Sequence, residues 1–137
     1  MAGVYDAAPQ ELIAKASKEL AKNPVCKAPE WAQFAKTGAH KERQPDRLDW
    51  WHTRLAAVLR TVYMRGPVGV SKLSVKYGGA KNKGAAPSKF VRGSRNVLRT
   101  SLQQLEAAGL VAQAKTGRKG RIVTAKGKSF LDKLTKE

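Results

Sequence analysis

Between Trp50 and Leu105 the sequence contains no aspartate and no glutamate. Paired carboxylates for general acid–base work are therefore missing from that part of the chain. Cysteine is nearly absent as well. Cys26 stands alone, which excludes an internal disulfide framework and fits a reducing compartment. The two histidines, His40 and His52, have no metal-ligand spacing with Cys26. The phosphate-loop pattern G-x-x-x-x-G-K-[ST] does not occur. No apolar run approaches the length of a membrane span. The opening stretch, MAGVYDAAPQEL, lacks the basic and apolar regions of a secretory signal. A soluble intracellular protein is expected, with no catalytic residues, no metal, no cofactor and no small-molecule substrate.

What the chain has instead is positive charge, a net +17 over 137 residues. It is unevenly placed. Residues 1–49 carry eight Lys/Arg against seven Asp/Glu, whereas residues 50–131 carry seventeen against one, Glu106. Self-repulsion on this scale disfavours a compact state unless a polyanion is the working partner. Nucleic acid fits that description. An anionic membrane fits less well, because the cations are spread over several segments rather than along one amphipathic helix. The length predicts a single domain, 1–137, with a charge-balanced part (1–49) and a basic part (50–137).

Periodicity supplies the elements. The strongest helical pattern is DRLDWWHTRLAAVLRTVYMRG, Asp46 to Gly66, with Asp46 or Asp49 as cap and Gly66-Pro67 as stop. Leu55, Val58, Leu59 and Val62 form one stripe of it, and Trp50, Ala57 and Met64 lie on another side, so it should be a central rod. Ahead of it, residues 1–8 read as a partly extended leader, and Pro9 opens a helix striped by Leu12, Ile13, Ala16 and Leu20. Pro29-Glu30 opens a short helix with Trp31 and Phe34 as core anchors. Residues 36–47 form a polar connector, in which His40 either meets phosphate or has no role. Trp50 and Trp51 point to different sides; both are expected in the core, the alternative being one on the surface, stacking on a base or sugar. Beyond the rod, Ser71 should cap a helix to about Tyr77, with Leu73 and Tyr77 inward. The basic, glycine-containing stretch 78–93 reads as a long functional loop anchored by Phe90. Ser94 caps a helix ended by Gly109, with Arg95, Arg99 and Gln103 along its outer face. Leu110–Ala114 and Arg121–Thr124 form a hairpin around KTGRKG, and Thr124 caps a last helix.

This order predicts a mainly α fold: a helical bundle around a central amphipathic helix, with winged helix-turn-helix character and one small β-hairpin wing. In DNA readers of that plan the third helix enters the major groove, and Asn96, Arg99 and Gln103 would then read base edges. A winged-helix DNA-binding regulator is thus the alternative reading. The spacer between the second and third helices counts against it. It is about sixteen residues here, where three or four is usual. A basic loop in that place suits an irregular RNA surface better than a duplex groove.

The blocks Pro29-Glu30-Trp31, His40-Lys41-Glu42, Trp50 with Thr53-Arg54, YMRGPVGVSKLSVKYGG (Tyr63–Gly79), PSKFVRGS (Pro87–Ser94), Leu102–Glu106, Gly109–Val111, Gly120-Arg121 and Thr124–Gly127 resemble one family. It is the archaeal and eukaryotic (e-type) small-subunit ribosomal protein nineteen, unrelated to the bacterial protein of the same number. The likeness runs from about Val4 to Leu134. It implies a structural constituent of the small ribosomal subunit that binds small-subunit ribosomal RNA in the head and supports its maturation and assembly. It also implies a cytoplasmic, ribosomal location, and contacts with neighbouring small-subunit proteins; free, the chain should be a monomer. The family's RNA-facing surface maps onto Arg54 and Arg60, the 78–93 loop, and Arg95 and Arg99. The full set of expected RNA-binding residues is Arg54, Arg60, Lys76, Lys81, Lys83, Lys89, Arg92, Arg95, Arg99, Arg118, Lys119 and Arg121. The chain lacks the extended C-terminal tail of eukaryotic members, which leans towards an archaeal-type protein. It carries Trp51-His52 where other members have other aromatic residues.

Overall fold

The computed structural model describes residues 3–137. In chain order, α1 (Pro9–Ala21), a 3₁₀ turn (Glu30–Gln33), α2 (Trp50–Arg65) and α3 (Val70–Lys76) are followed by β1 (Gly79–Lys81) and β2 (Lys89–Val91). Then come α4 (Arg95–Ala107), β3 (Val111–Gln113), β4 (Arg121–Val123) and α5 (Ala125–Lys136). The architecture is the mainly helical, winged-helix-like one that the periodicity predicts.

The rod is α2, roughly 24 Å long at 1.5 Å per residue. Leu55, Val58, Leu59 and Val62 are all buried, and α1, α4 and α5 pack around them. Leu12, Ala16 and Leu20 of α1 close one side, and Leu98, Leu102 and Leu105 of α4 another. Burying a side chain of this size removes about 1.5–3 kcal/mol of unfavourable hydration each. Polar tethers fix the register. Trp51 Nε1 donates to Gln104 Oε1 at 2.9 Å, and Gln104 Nε2 donates to the Lys27 carbonyl at 2.7 Å. His52 Nε2 meets the Cys26 carbonyl at 2.7 Å.

Caps follow sequence chemistry at two helices. Ser94 accepts from the Val97 N–H, and Thr124 from the Gly127 N–H. Elsewhere the expected caps are not used. The rod starts at Trp50, not Asp46, and Asp49 at its N-cap spends its carboxylate on Arg47 at 2.9 and 3.1 Å. Gly69, not Ser71, stands at the N-cap of α3. Ser71 already lies within the first turn, where its carbonyl accepts from Ser74 Oγ at 2.6 Å.

Four packing expectations are corrected. The leader is folded as far as it is described: Val4 is buried, and Tyr5 tilts against Tyr63 at 5.7 Å between centroids. Residues 1 and 2 of that expected leader lie outside the described residues. Phe34 is 75% exposed, because it follows the 3₁₀ turn as its C-cap rather than riding an α-helical face with Trp31. Trp50 is half-buried, its edge against the buried Trp51 (5.5 Å, 81°). Tyr77 is also half-buried, whereas Leu73 is in the core.

The largest difference is in residues 78–93. This segment is a second antiparallel hairpin, paired Gly79↔Val91, Ala80↔Phe90 and Lys81↔Lys89, rather than an open loop. Phe90 is exposed, not an interior anchor. The hairpin's root is held from outside. Gly93 N–H donates to the Ser74 carbonyl at 2.8 Å, and Ser94 N–H to the Thr37 carbonyl at 3.0 Å. The wing, β3–β4, pairs Val111↔Val123, Ala112↔Ile122 and Gln113↔Arg121. Val68 joins it by two backbone bonds to Arg121, at 2.9 and 3.2 Å. Gly120 permits that approach, since a Cβ there would stand 2.9 Å from the Val68 backbone.

Candidate nucleic-acid interface

Trp50, Arg54, Ala57, Thr61 and Arg65 recur at helical spacing along one side of α2. Tyr77, at the C-cap of α3, lies against this side. The Arg54 guanidinium carbon stands 4.2 Å from the Tyr77 ring centroid, and Lys76 Nζ stands 5.8 Å from it. The Tyr77 hydroxyl is 3.2 Å from Thr61 Oγ1, which itself donates to the Ala57 carbonyl at 2.8 Å. A cation over an aromatic face at this distance gains about 0.5–2 kcal/mol.

Among the described residues, no carboxylate makes an ion pair with the cluster. Burial pulls the Arg54 guanidinium below its usual range, with the Tyr77 hydroxyl acting the other way. Burial likewise lowers Lys76, and the neighbouring Arg65 and Arg60 add to that. Arg60 Nε is buried with no hydrogen-bond partner among the described residues. Arg54, Arg60, Arg65 and Lys76 thus form a like-charged group at the junction of α2 and α3. Two of its members, Arg54 and Lys76, lie over the Tyr77 ring rather than against an acid.

The remaining expected cations fall in two places. Lys81, Lys83, Lys89 and Arg92 lie on the hairpin between α3 and α4, and Arg95 and Arg99 follow on the first turns of α4; all six are exposed. Because the hairpin root is tied to both Ser74 and Thr37, this set continues directly from Lys76. Arg118 and Lys119 are exposed at the tip of the wing, which is anchored to Val68 beyond the C-terminal end of α2. Arg121 is different. Its side chain pairs with Glu106 at 3.2 Å and is only 18% exposed, so it fastens the wing to α4. Among the described residues the other ion pairs are Lys22–Glu19 and Arg47–Asp49, so none of the other eleven cations has a carboxylate partner.

His40 was not legible as a structural residue. Its ring wedges between Gly38 and Gly79, where a Cβ would approach ring atoms to 2.7 and 2.8 Å. Glycine is therefore required at these two points for the connector to reach the hairpin root. Burial, with Lys41 and Arg54 nearby, lowers the imidazole pKa below its ordinary 6.5. Its Nδ1 is buried without a hydrogen-bond partner among the described residues. Burial also raises the Cys26 thiol, which leaves it unreactive.

The sequence pattern of the family described as ribosomal protein S19e matches residues 3–137. The chain belongs to this family. It is 43% identical over 136 residues to the small ribosomal subunit protein eS19 of Haloarcula marismortui, covering 96% of this chain and 88% of that one. It is 44% identical over 128 residues to the eS19 of Aeropyrum pernix, covering 92% and 82%. The small ribosomal subunit protein eS19G of Ascaris suum is 37% identical over 134 residues, covering 98% and 90%. The resemblance in the sequence blocks and the family assignment agree. S19e-type proteins are structural, non-enzymatic components, in keeping with an interface built of cations and one tyrosine.

Proposed function

We propose that this chain is a structural constituent of the small ribosomal subunit, in the cytoplasm, that binds small-subunit ribosomal RNA in the head and supports its maturation and assembly. One observation supports this most: the acid-free stretch Trp50–Leu105 folds into α2, α3, the β1–β2 hairpin and α4 with its expected cations free of carboxylates. Lys and Arg on this face neutralise phosphates, and release of condensed counterions drives association. The hairpin follows the RNA backbone, while the α2 core holds its contact points in fixed relation. The work is adhesion of RNA segments, not chemistry. Neighbouring small-subunit proteins are contacted as well, no membrane is involved, and the free protein is a monomer.

Co-sedimentation with small subunits followed by protein–RNA crosslink mapping tests this reading. Crosslinks should concentrate at Lys81–Arg99. Crosslinks confined to residues 3–49 would contradict it. Asn96, Arg99 and Gln103 are exposed on α4, as a DNA-reading helix would need. The basic hairpin directly before that helix counts against this DNA-binding reading. Duplex DNA binding that survives competing RNA would favour the winged-helix regulator instead.

A further inference from the structure

A cleft of about 570 Å³ opens between the connector and the N-terminal half of α2. Its size falls within the roughly 300–1,000 Å³ of sites that take small ligands. Trp50, Arg54 and Tyr77 line it, with Ala57 leaving room between them, and Arg43 and Lys41 stand at its edge. Asp46 is the one acid on its wall, and it makes no ion pair among the described residues.

The geometry points to this cleft as a pocket for a single unstacked guanine nucleotide of the bound RNA. A cationic and an aromatic surface suit a base: the Arg54 guanidinium carbon lies over the Tyr77 ring at 4.2 Å, and Trp50 is half-buried. Unstacked RNA bases stack on aromatic rings and on guanidinium planes. Arg43 and Lys41, both exposed and unpaired, would take the phosphate. A carboxylate accepts two hydrogen bonds side by side, and guanine offers two donors side by side at N1 and N2. Adenine presents an acceptor at N1 beside a donor at N6, so Asp46 would gain at most one hydrogen bond and face a lone pair. Arg54 gains as well, because a group buried without a counter-charge is offset by an electron-rich partner.

This rests on the RNA-binding reading above, so the test separates the two. ¹⁵N-labelled full-length protein is titrated with 5′-GMP, 5′-AMP and inorganic phosphate, following the Trp50 indole and Arg54 Nε signals. GMP should shift both in a saturable way, AMP should bind about tenfold more weakly, and phosphate should leave the Trp50 indole unmoved. Asp46→Asn, a change at an exposed residue, should remove the GMP preference without altering the melting temperature. Equal shifts from GMP and phosphate, or an unchanged preference in Asp46→Asn, would overturn the pocket. Binding of small-subunit RNA is measured on the same samples. If RNA binds while GMP shifts nothing, the cleft assignment fails alone; if RNA does not bind, the reading beneath it fails too.

Discussion

At the residue scale, the two sides of α2 separate stability from binding. Leu59 is fully buried among α1, α4 and α5, so Leu59→Ala should cost roughly 2–5 kcal/mol in denaturant unfolding. Arg54→Ala loses only its stacking on Tyr77, about 0.5–2 kcal/mol, but should weaken RNA binding about tenfold, as read by filter binding. The reverse pattern would mean that the inside and outside of α2 are misassigned. His40 makes a pH prediction. Its folded pKa lies below the unfolded value of 6.5, so the folded state binds fewer protons. The contribution is present above pH 6.5 and is lost as pH falls through the folded pKa, where imidazolium would face Lys41 and Arg54. The melting temperature should therefore drop on acidification below ~pH 6.5, and His40→Asn should flatten that part of the profile. None of this was legible from His40 in isolation. Gly38 and Gly79, which hold its ring, are far apart in sequence, and a single chain offers no signal for such a meeting.

At the element scale, long periodic segments declared themselves and short ones did not. The α1, α2, α4 and α5 stripes span several turns, and their local pattern matches what packing selects. The β1–β2 hairpin has three-residue strands built from GAK and KFV, too short for alternation to show. Its register depends on bonds from Gly93 to Ser74 and from Ser94 to Thr37, contacts that no local pattern encodes. Phe34 failed for a related reason. An i, i+3 pair shares a face only while both residues lie within the helix, and Phe34 stands past the end of a single 3₁₀ turn, at its C-cap. The same reasoning yields a test of the hairpin. Its tip, residues 82–88, is exposed throughout and contributes nothing to the core. Replacing it with a two-residue Asn-Gly turn should shift the melting temperature by no more than a few degrees, about 1 kcal/mol or less. It should also reduce RNA affinity severalfold. A large loss of stability would show the hairpin to be a structural strut instead.

At the scale of the whole molecule, the division into a charge-balanced part and a basic part was legible from composition, and the fold gives it a shape. The cations of α2, α3, the hairpin and α4 succeed one another around the Ser74–Gly93–Thr37 junction. Among the described residues, the one expected cation with an internal carboxylate partner, Arg121, ties the wing to α4. Sequence could not distinguish it from its neighbours, because Glu106 reaches it only after β3 and β4 have folded back. The central claim is that this acid-free face holds RNA through its phosphates, and salt dependence tests it most directly. Filter binding of the intact protein to small-subunit RNA between about 50 and 200 mM salt should lose roughly three to five decades of affinity if six to ten phosphates are neutralised. A flat salt response would contradict the account.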